Sequence, residues 1–355
     1  MSAPIPMRCP SFCGGALCLV IGGAAQGDVL DRARIASIAG SERLRTFAYG
    51  KLLETGDAPQ DVVTLMRQTL TSQGFYYEFG QSRVIATEAW LEPVLSYDGN
   101  INGGVLQDSF SYGGFIFEAD PNFRAKGGVV MGLSGGGVAR LAWANGRYVE
   151  GRLRAEAVWS PEHQIGRSNS EFALCSRNHV QGWSFVDVCQ TVSAVKRELG
   201  TSESQETALA VTQLFQTEAA YHEVTAELSE THYDIGDQPT ITLSWASIWD
   251  KAATKFSLGT AAPIEGETAL RMRVAADVQW LWEGHATGLG LWYQKADGGA
   301  FLGTPHADEA MGISLSYQFR PGLSAQISYM TNQSSVDFFD YAQTSVNVGF
   351  EALRW

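Results

Sequence analysis

The chain has 355 residues, enough for one large closed sheet and a small accessory segment. Its formal charge of −13 argues against nucleic acid as a partner, because a phosphate backbone calls for compact positive surface. Charged residues make up only 18%, below the roughly 25% of a soluble domain. No run of about 18 apolar residues follows the N-terminal region, which argues against a helical membrane protein.

Residues 1–27 read as an export signal: Arg8 is a weak positive start, Gly14 to Ala24 is largely apolar, and Ala25-Gln26-Gly27 offers a small-x-small cleavage site before Asp28. Cys9, Cys13 and Cys18 would leave with it. The order Gly15-Ala16-Leu17 before Cys18 is not that of a lipid-attachment site.

Residues 28–73 carry apolar positions at a 3.6-residue period and predict two short amphipathic helices. Gly56-Asp57-Ala58-Pro59 separates them, with Asp57 or Pro59 helping to start the second. A helical hairpin is marginal alone, so this periplasmic or plug segment should pack on a barrel mouth, sit in its lumen, or be the remnant of a larger helical module.

From about residue 80 the pattern changes to a period of two, with Gly, Asn, Asp and Pro turns between segments. Fourteen strands are predicted: 83–97, 125–143, 147–159, 168–178, 182–197, 205–217, 219–232, 239–249, 252–260, 268–282, 284–294, 309–319, 323–332 and 342–355. In 268–282, Leu270, Met272, Val274, Ala276, Val278, Trp280 and Trp282 oppose Arg271, Arg273, Asp277 and Gln279. In 147–159, Val149, Leu153, Ala157 and Trp159 oppose Glu150, Arg152, Arg154 and Glu156. Arginine and aspartate facing a tight sandwich core would be costly, whereas they suit the wet bore of a barrel whose outside touches lipid. The fold expected is therefore all-β: a closed antiparallel transmembrane β-barrel over 80–355, with an even strand number. Hydrocarbon leaves no water for an open sheet edge, so the sheet must close. The address that follows is the outer membrane of a Gram-negative cell.

Trp90, Trp143, Trp159, Trp245, Trp249, Trp280, Trp282, Trp292 and Tyr329 lie toward segment ends and predict headgroup-level girdles. At the terminus, Leu353 and Trp355 suit a closing strand, yet Val346, Val348 and Phe350 run on the opposite parity. Either a bulge lies near Ala352 to Leu353 or the closing signal is degenerate.

Cys175 and Cys189 flank Asn178-His179-Val180-Gln181-Gly182, which reads as a hairpin turn. They lie at unequal distances from it. Two readings stand: unpaired thiols on neighbouring strands, or a disulfide reached by bending or slipping the strands. No enzymatic constellation is found: the six histidines are scattered, Ser134-Gly135-Gly136-Gly137 is no nucleophile elbow, and no metal or cofactor is expected.

Residues 98–124 form a long loop. Asp98, Asn100 and Asn102 are turn formers, Gly103-Gly104 and Gly113-Gly114 permit positive φ, and Asp120 to Arg124 leads into the next strand. Such a loop would narrow the pore or dock a partner. The stretch Tyr97-Asp98-x-Asn100-Ile101-Asn102, followed by Asp120-Pro121-x-x-Arg124-Ala125, resembles the C-terminal barrel of the surface lipoprotein assembly modifier family and its related uncharacterised barrels. That resemblance implies a fourteen-stranded barrel that helps lipoproteins reach the cell surface, aided by a periplasmic helical-repeat domain. Residues 28–73 offer one helical pair where the family has an array.

The functional expectation is transport or surface export, with a surface lipoprotein as one client. A lumen of Glu150, Arg152, Arg154, Glu156, Arg271, Arg273 and Asp277 would bias passage, and the loop would constrict it. The alternatives are a porin-like passive channel for small polar solutes and a structural or adhesive barrel. Membrane lipid and the barrel-assembly machinery are the other partners expected, and a monomer suffices because one chain can close its own sheet.

Overall fold

The computed structural model describes residues 29–56, 58–75, 82–112 and 114–355. The export signal read from residues 1–27, and Asp57, lie outside the described residues.

Three helices come first: α1 (Val29–Ala36), α2 (Glu42–Glu54) and α3 (Gln60–Ser72). The sequence suggested two. The extra break falls at Gly40-Ser41, where Ser41 caps α2 by accepting a hydrogen bond from the Leu44 amide at 3.1 Å. Pro59 is the N-cap residue of α3 and offers no side-chain bond there.

The strands follow: β1 (Arg83–Asp98), β2 (Ser109–Tyr112), β3 (Phe115–Glu118), β4 (Gly128–Ala144), β5 (Arg147–Ser160), β6 (Ile165–Gln181), β7 (Ser184–Arg197), β8 (Gly200–Gln216), β9 (Tyr221–Tyr233), β10 (Gly236–Ile248), β11 (Ala252–Ala261), β12 (Ala269–Trp282), β13 (His285–Phe301), β14 (Thr304–Arg320), β15 (Leu323–Ser334), β16 (Tyr341–Phe350) and the two-residue β17 (Leu353–Arg354). β2 and β3 make a separate hairpin inside the long loop. The other strands pair antiparallel with their sequence neighbours, and β16 and β17 return to β1. The result is a closed barrel of fourteen strands, with β17 continuing β16. Closure leaves no open sheet edge.

The predicted bulge lies at this seam. Leu95 pairs with Val348 and Leu91 with Leu353, so three residues of β1 face four of the terminal strand. The extra residue flips the parity. Val346, Val348 and Phe350 above it, and Leu353 and Trp355 below it, therefore share the outer face.

Outward positions in the middle of the wall are mostly apolar, and many are exposed. Leu133 on β4, Leu153 on β5, Leu243 and Trp245 on β10, and Ile313 and Leu315 on β14 all face away from the bore. A soluble sheet would bury such residues; a barrel standing in hydrocarbon shows them. The start of β1 and the Pro321-Gly322 turn lie at one rim, where no strand connection exceeds four residues, and the long loop 99–127 lies at the other. Short turns mark the periplasmic rim of such barrels and long loops the external one.

Two girdle assignments fail. Trp90 and Trp292 are each the eighth residue of their strand, on the inward parity, where each lies against an inward-facing glycine. Trp143, Trp159, Trp245 and Trp282 do present exposed faces outside.

The cysteine geometry is also resolved. β6 runs on to Gln181, the turn is Gly182-Trp183, and the register shifts by one residue between His179 and Gln181. That bulge makes up the unequal spacing, so Cys175 and Cys189 sit directly opposite one another and form a disulfide.

Candidate functional site

The bore is built by the inward parity of each strand. Glu150, Arg152, Arg154 and Glu156 on β5 all point into it, as do Arg273 and Asp277 on β12. Arg271 lies at a bulge in the β12–β13 ladder, where it ion-pairs Asp297 at 3.3 Å.

The sequence-predicted charges do not form one uniform lining. Glu150, 2% exposed, is gripped by three guanidiniums: Arg140 at 2.7 Å, Arg152 at 2.9 Å and Arg177 at 3.2 Å. Arg177 also reaches Asp187 at 3.0 Å. Glu156 pairs with Arg167 at 3.3 Å, and Arg167 with Asp98 at 2.9 Å. Each buried charge here is held by opposite partners, as burial requires. Arg154, Arg273 and Asp277 stand apart from this network, with exposed side chains.

The helices complete the network from within. Glu42 and Arg43, in the first turn of α2, fork in two directions. Glu42 takes two bonds from Arg140 on β4, at 3.1 and 2.9 Å. Arg43 gives two to Asp187 on β7, at 2.7 and 2.8 Å. Planar bidentate pairs of this kind fix orientation as well as adding energy. Burial opposes ionisation of Glu42, but the bonds and charge of Arg140 outweigh it and hold the carboxyl below its ordinary value.

Further anchors come from the other elements. Ser41 donates to Glu223 on β9 at 2.6 Å, and Arg32 of α1 reaches Asp250 in the β10–β11 turn at 2.7 Å. An apolar cluster of Leu44, Phe47, Leu52 and Met66 meets Phe185, Tyr221 and Ile248 of the wall. The helices therefore sit within the periplasmic rim as a plug, and α3 is tied to the β4–β5 turn by the bond from the Gly146 amide to the Gly74 carbonyl.

The plug leaves a gap. A cavity of about 690 Å³ separates Ala39-Gly40-Ser41 from Lys255, Asp277 and Gln279. Its floor is the α1–α2 link with Leu44, and its wall runs from Glu223 on β9 through β10 and β11 to Gln279 on β12.

The external rim is narrowed by loop 99–127. Asp98 accepts a bond from the Asn100 amide, and Asn100 and Asn102 bind the backbone of Gly104 and of Arg124 and Lys126. Gly103 adopts φ +76°, and a Cβ at Gly104 would lie 2.6 Å from the Arg124 backbone, so both positions call for glycine. Asp120 caps the Asn122 amide, and Arg124 bonds to the Ala119 carbonyl and pairs with Asp108. Arg197, at the end of β7, donates to the Asn100 carbonyl at 2.9 Å. β7 is four places round the sheet from β1, so the loop crosses the mouth as a chord. Ile101 is fully buried beneath it against Val130 and Val158. On the other side, Gln107 binds the Asp340 carbonyl and Phe110 packs on Phe338.

The sequence flagged the loop residues and the β5 charges. It missed Arg140, Arg177 and Asp187, which also lie on inward parities, and the plug side chains Glu42 and Arg43. No group of three or more His, Cys, Asp or Glu among the described residues could hold a metal ion.

No protein-family model matches the chain, and no curated protein matches it. The assembly-modifier resemblance thus gains no support from these comparisons, and the loop residues that carried it are accounted for by the loop's own hydrogen bonds. Among solved structures, OpdQ of Pseudomonas aeruginosa aligns at 9% identity, covering 78% of this chain and 100% of that one, with a TM-score of 0.40. OpdK of the same organism, solved with vanillate, aligns at 10% identity over 78% and 100%, with a TM-score of 0.37. OccAB2 of Acinetobacter baumannii aligns at 7% identity over 78% and 99%, with a TM-score of 0.39. Likenesses this distant lend no substrate or activity to the chain. What its own geometry establishes is a fourteen-stranded outer-membrane barrel, lipid-facing outside and ionic within.

Proposed function

We propose that the barrel is a porin-like channel for small polar solutes, stopped at its periplasmic rim by helices 29–72. The observation that carries this reading is the cavity of about 690 Å³ beside the plug, walled by exposed Lys255, Asp277 and Gln279. A lumen of fixed charges and small polar groups passes hydrated solutes and discriminates by charge, and it needs no bond chemistry.

The test is single-channel recording of the full chain in a planar bilayer. Arg43→Ala removes the bidentate anchor to Asp187 and should raise the open probability of an otherwise low-conducting protein. An unplugged variant that never conducts would defeat the reading. The lipoprotein-export role implied by the loop resemblance makes a different prediction. Deleting the protein would strand a surface lipoprotein inside the outer membrane, and conductance would not follow the plug.

A further inference from the structure

The inner wall of β14–β16 is polar yet carries no charge. Its inward positions from Gly312 to Gln318, from Ser324 to Met330 and from Gln343 to Gly349 include no Asp, Glu, Lys, Arg or His. Register sets the hydroxyls and amides there in two rows. Ser314, Ser328 and Ser345 stand directly opposite one another across three strands. Two residues further along β14, Ser316, Gln326 and Asn347 do the same. Among the described residues, none of these six side chains has a hydrogen-bond partner.

Both rows have a distinctive end. On β13 they reach Gly290 and Gly288, where a Cβ would come within 2.6 Å of the Ser314 and Ser316 hydroxyls respectively. The missing side chains recess the wall beside those hydroxyls. At the other end, the second row crosses the seam to Ser96 of β1, which stands opposite Asn347 on the inward parity. Ser96 is 5% exposed, and its hydroxyl has no partner among the described residues. A buried hydroxyl left unbonded is costly, so this one marks where a bound solute can supply the missing bond.

An ion entering this part of the bore gives up hydration and meets no opposite charge in return. A polyol is better served. Serine hydroxyls and carboxamides both donate and accept, so they replace the water bonds of a solute whose own hydroxyls do the same. The rows lie about 7 Å apart along the strands, and neighbouring strands about 5 Å apart, which gives the patch the span of a small sugar.

We propose that this field is a binding track for neutral polyhydroxylated solutes, sugars of one or two rings. They lie against the two rows, with the Gly288–Gly290 recess taking the edge of a ring. The track rests on the channel reading for the route its solute takes, and it names the solute class that reading leaves open.

The experiment uses the full chain in an amine-oxide detergent, which has no sugar headgroup, with trehalose as the probe, titrated by saturation-transfer NMR. Gln326→Met combined with Asn347→Leu keeps the bulk and removes both amides. It should weaken binding about tenfold, the scale of two lost neutral hydrogen bonds. Ser328→Ala combined with Ser345→Ala should weaken it severalfold. Ser229→Ala, on the inward parity of β9 six places round the sheet from β15, is the control and should leave binding unchanged. Lysine at the same concentration should not displace the sugar. Heat-modifiable migration in gels establishes that each variant has folded. No saturable binding by the wild type, undiminished binding by the Gln326→Met, Asn347→Leu variant, equal loss in Ser229→Ala, or displacement by lysine overturns the proposal. Trehalose binding without bilayer conductance by the Arg43→Ala protein leaves the track standing and defeats the channel; conductance with no trehalose binding does the reverse.

Discussion

The β4–β7 quarter of the wall and the β12–β14 quarter have the same strand pattern and opposite interiors. The first is crowded: Arg140, Glu150, Arg177 and Asp187 neutralise one another and grip Glu42 and Arg43 of the plug. The second is bare, with Gly288, Gly290, Gly312 and Ser314 facing the bore and Arg273 unpaired. The crowded wall has spent its charges on holding structure, so what it offers a solute is small. The bare wall holds less structure and keeps its charge available. A charged lumen thus divides into anchorage and passage, and a tally of inward arginines does not distinguish the two.

The largest expected effect breaks the crowded wall. Glu150→Gln leaves Arg140, Arg152 and Arg177 facing one another and should cost about 3–5 kcal/mol, the penalty of an uncompensated buried charge. Asp277→Asn on the bare side, exposed and outside the ion-pair network, should change stability by less than about 0.5 kcal/mol. Denaturant midpoints of the two variants compare them directly, and equal shifts would erase the distinction. Next comes packing. Gly312→Ala should cost about 1–3 kcal/mol as Trp292 is pushed off the wall. Gly151→Ala, with open space around its Cβ, should be near neutral in the same thermal melts.

The smallest effect is a pH dependence. Because Glu42 is held below its ordinary value of 4.5, its contribution to plug docking is complete above about that pH and is lost as pH falls through the lower folded value. A spin label on Thr64→Cys, on the exposed face of α3, should gain mobility only in that acid range. Loosening at neutral pH would show that other contacts, not the Glu42–Arg140 pair, set the docking.

The barrel was legible because its period of two is written locally in nearly every strand. Leu270 to Trp282 and Val149 to Trp159 each declare a lipid face and a wet face without outside help. Even the seam bulge could be read, from the parity clash between Val348 and Leu353. The tryptophans misled because they were read by position along a segment. Parity would have placed Trp90 with Glu88 and Glu92, and Trp292 with Gly290 and Gln294. The network around Glu150 had no local signature: Arg43 and Asp187 are 144 positions apart. The hairpin turn at Gly182-Trp183 was hidden because the bulge at Val180 displaces it from the centre of Cys175 and Cys189.

The plug precedes every strand in the chain, yet its anchors lie on β4, β7, β9 and the β10–β11 turn. The last staves, β15 and β16, arrive after all of these. The leader is therefore available as a mandrel round which the sheet can curl before the seam meets, and contacts spanning so many positions are slow to form. Weakening the α2 anchors should then lengthen the time to reach the heat-resistant form during refolding, a cost paid at birth even if the finished barrel is sound.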